Sequence, residues 1–383
     1  MNTVERYTAA YTGKSLDRVP ISAWLGMPLL QEFTGWPIPR IIKEIITNPL
    51  WIVELQESLG FDPIVVTVDD RWFSMHYYWR MLYSWPEAAL DTWRVTAKVS
   101  EASKGFTDYQ FTATTPEGPV TWGYQVGGAQ VGELERPIKE ESDLDLLIKY
   151  MPQPESLNQD KLAAMVNTVG GRGFFTHNFI GVWGEAANMR GLVTLCTDIY
   201  ERPEFVKRIS EFLMERSIRR IKHLAQTGLH SLLYDQSWVG VGFSPQVYRE
   251  FMLPYDREVV RAAREAGMLV SYHNCGRGTL FLEDMVSTGA DALETLTPKT
   301  SSGDFDLADV KHRVGHAITL NGGFNERILA SATVEAIRDE VKWCLDAAAR
   351  DGRYILRTCG QIFDVAPGNL EPFTTAGREF GRF

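Results

Sequence analysis

From residue 61 onward the chain repeats one rhythm: a short β-branched run ends on a polar residue, and an amphipathic helical stretch follows. Seven such runs, 63–69, 173–177, 231–235, 268–273, 291–294, 316–321 and 353–359, alternate with helical stretches such as 203–227, 245–266, 278–289 and 333–351. Near-continuous apolar runs mark strands buried on both faces, and alternation with helices joins them in parallel. An eighth unit hidden in the weakly patterned region before Pro152 completes the count. The expected fold class is therefore α/β, a (β/α)8 TIM barrel. No glycine-rich dinucleotide fingerprint or phosphate loop follows any run, which disfavours an open doubly wound sheet.

Residues 1–60 read as helical patches broken by Pro20, Pro28, Pro37, Pro39 and Pro49, and are expected to form an N-terminal helical cap. Segment 108–122 alternates on either side of Pro116-Glu117-Gly118, which predicts an inserted β-hairpin. At 383 residues the chain exceeds a bare single core, so both elaborations are placed on one barrel domain over 1–383. Lys and Arg total 39 against 49 Asp and Glu, a net charge of −10. That leaves no basic field for nucleic acid or an anionic membrane, and points to small molecules and proteins as partners. No apolar stretch approaches the ~18 residues of a spanning helix, and the N-terminus lacks a signal-like segment. With only four cysteines, too few for a disulfide framework, the expected location is cytoplasmic.

Barrel chemistry sits where strands end, and Asp69, His177, Asp235, His273, Glu294, Asn321 and Cys359 each stand at or just beyond the end of a run. In extended chain, His273 and Cys275 of the HNCG segment point the same way and can grip one ion. Glu294 and Cys359 follow on later strands. An imidazole, two thiolates and a carboxylate make a borderline-soft set suited to Zn2+, and donors spread so far apart in sequence fit a catalytic ion better than a structural one. The same residues equally suit a core cysteine beside a hydrogen-bonded histidine. Asp235 reads as an acid/base or as a second support for His273. His177, Asn178, Gln236 and Asn321 read as pocket-lining polar groups, with a structural role open for His177 and Asn178. The aromatic cluster 71–79, with Trp72 and Tyr78, suits core or lid packing or, with Trp183, an aromatic substrate pocket. Asp69 and Asp70 fit salt bridges to Arg71 or Arg80, Cys196 and Cys344 fit a core, and His312 and His316 lie at the opposite face.

The segments 244–255 (SPQVYREFMLPY), 287–293 (STGADAL) and 320–325 (LNGGFN), together with the HNCG, resemble the uroporphyrinogen decarboxylase superfamily from about Gly173 onward. The resemblance implies a (β/α)8 barrel. Within that superfamily a His-x-Cys here with a late Cys before Gly resembles the zinc signature of corrinoid-linked methyltransferases, and His273, Cys275 and Cys359 match it. Glu294 falls at a spacing similar to the glutamate of cobalamin-independent methionine synthases. The resemblance implies zinc as cofactor; Glu294, and Asp235 from its place at a strand end, are the expected catalytic residues. The methyl donor is then an aryl methyl ether, or the acceptor a thiol of the coenzyme M type. The chain lacks an Asp-x-His-x-x-Gly stretch, so the corrinoid is expected on a partner protein; the resemblance also implies a homodimer. A metal-free decarboxylase-type lyase fits less well, because no arginine falls between Arg18 and Arg40 where a polycarboxylate substrate would need them. A non-catalytic binding protein is the third reading.

Overall fold

A computed structural model describes all residues except 68–90, 103–104, 128–129, 155–158, 238, 241 and 367. The chain divides into two compact units, residues 1–68, 159–181 and 224–383 forming one, and 69–158 with 182–223 the other.

The first unit is the barrel. Its parallel strands are β1 (Ile21–Leu25), β2 (Ile64–Thr67), β7 (Phe174–Ile180), β8 (Ser231–Asp235), β9 (Leu269–Asn274), β10 (Ala292–Thr295), β11 (Thr319–Gly322) and β12 (Tyr354–Ile362), in the order β1-β12-β11-β10-β9-β8-β7-β2. The expected α/β barrel is thus the observed one. Its eighth strand lies inside the segment expected to be cap: ISAWL, five residues directly after Pro20, is too short to show a pattern among its helical neighbours. The helices α1 (Thr3–Thr12), α2 (Met27–Thr34), α3 (Ile38–Thr47) and α4 (Leu50–Ser58) surround it in sequence.

The sheet nearly closes on itself. At the end strands, Asp62 N–H donates to Ile21 O at 2.7 Å and Ile21 N–H donates to Asp62 Oδ2 at 2.8 Å. The same buried carboxylate takes Arg6 Nη1 at 2.7 Å and Arg18 Nη2 at 2.6 Å, so two guanidiniums fasten the seam. Helix α1 plugs the floor. A capping box between Asn2 and Glu5 starts it, and Gly13 at φ 65° ends it. Its Tyr7, Ala10 and Tyr11 pack on Ile64, Phe174, Ala292 and Ile355, and Thr319 Oγ1 donates to Ala10 O at 2.8 Å. These contacts fix which residues of each strand point inward, and the period of two then fixes the rest.

The second unit contains an antiparallel sheet of β3 (Arg94–Glu101), β4 (Thr107–Thr115), β5 (Gly118–Gly127) and β6 (Gln130–Glu135) in that order. The hairpin expected over 108–122 is its central pair, with Thr115 opposite Gly118 across the turn and Phe111 stacked on Trp122 at 5.4 Å. The sheet is two strands wider than that expectation. No helix among the described residues is long and apolar enough to cross a membrane.

Candidate active site at the strand ends

Glu294 and four other inward side chains, from four adjacent strands, meet in one cluster. Its Oε2 accepts from Ser271 Oγ at 3.1 Å and from Asn321 Nδ2 at 3.3 Å. Its Oε1 lies 2.8 Å from Arg357 Nη1 and 3.7 Å from His273 Nδ1. The strand register puts Glu294 opposite both His273 and Asn321, so the pleat itself assembles the group. Burial opposes ionisation of this carboxyl, but the Arg357 charge and the neighbouring His273 outweigh it and hold Glu294 below its ordinary value. Trp24 roofs the group: its ring lies 5.3 Å from that of His273 and 4.9 Å from Arg357 Cζ. Polar atoms here lack protein partners, among them His273 Nδ1, Asn321 Oδ1, and Arg357 Nε and Nη2. Buried groups are normally satisfied, so such a concentration makes these strand ends the candidate site.

One residue past β9, the exposed Cys275 reaches back to His273. Burial works against charging this imidazole, yet hydrogen bonding to Cys275 and Glu294 and the charge of Asp235 outweigh it and push His273 up to about 10. Burial raises the Cys275 thiol, but the hydrogen bond and charge of His273 and a hydrogen bond from Ser237 more than offset that, and its pKa is lowered. The pair is biased towards imidazolium and thiolate. Asp235 is held at the end of β8 by Ser237, whose N–H donates to Oδ1 at 3.1 Å and whose hydroxyl donates to the same oxygen.

Cys359 is placed differently. Its Sγ donates to Glu326 Oε2 at 3.0 Å, and Gly360 N–H donates to the same oxygen at 2.9 Å. Burial and the Glu326 charge push this thiol well up. Glu326 follows a turn that only glycine can make at Gly322, where φ is 127° and an added Cβ would stand 2.1 Å from Thr295 O. Among the described residues no three His, Cys, Asp or Glu side chains stand close enough together to hold an ion. Of the expected metal donors, then, His273, Cys275 and Glu294 are neighbours while Cys359 is engaged elsewhere.

Other expected site residues divide by strand parity. Asp235 and Asn321 point into the barrel. Gln236 points outward, where its Nε2 donates to the buried Asp256 at 2.7 Å. Asp256 also accepts from Tyr234 Oη at 2.7 Å, Tyr272 Oη at 2.9 Å and Tyr248 Oη at 3.3 Å, which makes Gln236 part of a packing network rather than a pocket wall. His177 shares the outward side of β7, its Nδ1 3.1 Å from Thr67 Oγ1; Asn178, the next residue, alternates to the inner side. Trp183 is buried in the helix Val182–Arg190 of the second unit. Trp72 and Tyr78, with Asp69 and Asp70, lie outside the described residues. Residues that the sequence reading passed over are Ser271, Arg357, Glu326 and Trp24. Arg357 and Ser271 were findable, since each stands two positions before a predicted ligand on the same strand face.

Comparison with known proteins places this arrangement. The uroporphyrinogen decarboxylase (URO-D) family model matches residues 125–380. A uroporphyrinogen decarboxylase of Psychromonas ingrahamii is 27% identical over 266 residues, covering 64% of this chain and 71% of that protein. One from Shewanella frigidimarina is 32% identical over 173 residues, 44% of each chain. Among solved structures, a methyltransferase from Methanosarcina mazei superposes with a TM-score of 0.69 at 16% identity, covering 99% of both chains, a likeness of fold. With the family model spanning most of the barrel and every strand of the site from β7 onward, the chain belongs to the uroporphyrinogen decarboxylase family.

Proposed function

We propose that this family member is a zinc-dependent methyltransferase, moving a methyl group from an aryl methyl ether to the Co(I) corrinoid of a separate protein. The observation that carries the reading is the His273 and Cys275 pair beside the buried Glu294, a nitrogen, a sulfur and a carboxylate on neighbouring strand ends, with His273 Nδ1 3.7 Å from Glu294 Oε1. The donor chemistry suits the ion, but the donors are not yet within reach of one point: His273, Cys275 and Glu294 would have to close in to hold it, with Cys359 joining once its thiol leaves Glu326. Bound zinc supplies Lewis acidity to the departing ether oxygen, or holds a substrate thiol as thiolate when the acceptor is a thiol of the coenzyme M type.

In the demethylase direction the methyl group would pass to a reduced corrinoid on the partner protein, and the carbon–oxygen bonding pair would leave with the phenolate. The chain's own residues orient and shield. Ser271, Asn321 and Arg357 fix the Glu294 carboxylate, Trp24 covers it, and Asp235 flanks the His273 and Cys275 pair. A second reading, a metal-free lyase acting on a tetrapyrrole, is favoured by the names of the relatives. Against it, Arg18 is committed to Asp62 at the floor of the barrel, away from the strand ends. Two measurements test the reading. Zinc retained after dialysis is expected, and is expected to vanish in His273→Ala and Cys275→Ser. Purified protein with a reduced corrinoid protein is expected to demethylate members of a methoxyarene panel. Decarboxylation of uroporphyrinogen by metal-free protein would overturn the proposal.

A further inference from the structure

Between β1, β2 and the helices α2, α3 and α4 lies a cavity of about 120 Å3, lined by Ala23, Trp24, Leu30, Ile45, Ile52 and Val66 among others. Its wall is apolar apart from two groups. Gln56 is committed: its Nε2 donates to Ile64 O at 3.1 Å and to Ile52 O at 3.3 Å, and its Oε1 accepts from Ile64 N–H at 3.1 Å. Trp24 Nε1 is sealed from solvent and donates to nothing. An engineered apolar cavity of about 150 Å3 stays dry and admits benzene, so this one matches a single six-membered ring. On the pocket side the apolar lining atoms lack dispersion partners, and the indole N–H of the lining residue Trp24 lacks an acceptor. A small apolar ring bearing an oxygen acceptor answers both deficits, and an aryl ether is the guest of that kind that the demethylase reading names.

We propose that this cavity is a binding subsite for one aromatic ring carrying an ether oxygen, with Trp24 Nε1 donating to that oxygen. Trp24 is also the residue that covers the active site, 5.3 Å from the His273 ring. Strands β1 and β2 are the two ends of the strand order, so no described ladder separates the cavity from the barrel interior. Identifying the guest as the methyl donor rests on the demethylase reading; the binding itself does not.

Anisole and ethylbenzene have the same number of heavy atoms and differ in the oxygen, which makes them the probes for titration calorimetry on the full chain without corrinoid protein. The expected result is anisole bound about tenfold more tightly than ethylbenzene, with Trp24→Phe abolishing that preference. Filling the cavity with Ala23→Leu is expected to weaken both ligands by more than about tenfold, circular dichroism verifying the fold. Ile52→Phe fills it from the helix side if Ala23→Leu does not fold. Equal affinity of the two probes for the unmodified chain, or undiminished anisole binding in a folded filled variant, overturns the proposal. A chain that binds anisole in this way but demethylates nothing keeps the subsite and loses the demethylase reading. Unimpaired demethylation by a folded Ala23→Leu that has lost anisole binding overturns the identification of the guest as the methyl donor.

Discussion

Arg357→Met tests whether the Glu294 cluster is held by charge. The guanidinium and the carboxylate are 1% and 2% exposed, so removing the cation strands an anion inside the barrel. Breaking one side of a buried pair ordinarily costs about 3–5 kcal/mol, but here the carboxyl has an escape, which is to take a proton. From an ordinary value of 4.5, protonation at about pH 7 costs roughly 1.36 kcal/mol per unit over about 2.5 units, or about 3.4 kcal/mol. The His273 ring 3.7 Å away takes up part of any remaining charge, so this is a ceiling. Loss of the contact between Arg357 and Trp24 adds about 1 kcal/mol that does not depend on pH. The sign follows. In the parent, Glu294 sits below its unfolded value and contributes stability above it; in the variant, burial drives it above that value, so the deficit grows as pH rises and fades as pH falls. Urea unfolding should show a loss of about 3–4 kcal/mol at about pH 7 and about 1–2 kcal/mol at about pH 5. Adding Glu294→Gln should recover part of the loss at about pH 7, since no charge is then left buried. A deficit equal at both pH values, together with a double variant as unstable as the two singles summed, would refute the reasoning.

The remaining predictions concern the neighbouring networks. Asp256 is fully buried, and burial outweighs its hydrogen bonds from Tyr234, Tyr272, Gln236 and Tyr248 to raise it from 3.8 to about 6. Its stabilising protonation is therefore complete below pH 3.8 and lost as pH rises through about 6. The parent should lose about 1–2 kcal/mol between about pH 5 and 7 that Asp256→Asn does not, by urea unfolding at each pH. Iodoacetamide at about pH 7, followed by peptide mass mapping, should label Cys275 first and spare Cys344 and Cys359, because burial pushes both of these thiols up. Equal labelling of Cys359 would contradict its hydrogen bond to Glu326. Asp62→Ala leaves Arg6 and Arg18 facing each other across the barrel seam, and should cost about 3–5 kcal/mol in the same unfolding assay.

How much of this was legible beforehand turns on which physical signal each residue carries. The strands that alternate with helices announced themselves because burial on both faces forces apolar runs, and their polar ends located the site. Ile21–Leu25 carried no such signal: its neighbours are helices, and it becomes a strand because Asp62 and β12 offer it partners distant in sequence. The direction of each side chain within the site is a separate matter. Choosing polar residues near strand ends ignores parity, and a step of one residue reverses a side chain's direction. His177 and Gln236 fell on the outward side by that single step, while Arg357, two residues before Cys359, was on the inward side and went unremarked. Anchoring the count on His273 sorts Ser271 with it, Asp235 apart from Gln236, and Arg357 with Cys359, without coordinates. What parity cannot supply is the choice a side chain makes among nearby partners. Parity sorts Cys359 with Arg357, yet Glu326, brought back by the Gly322-Gly323 turn, takes its thiol. Whether the ring of donors closes is thus decided by a carboxylate thirty-odd residues away in sequence, at a turn that no pattern of metal ligands would have singled out.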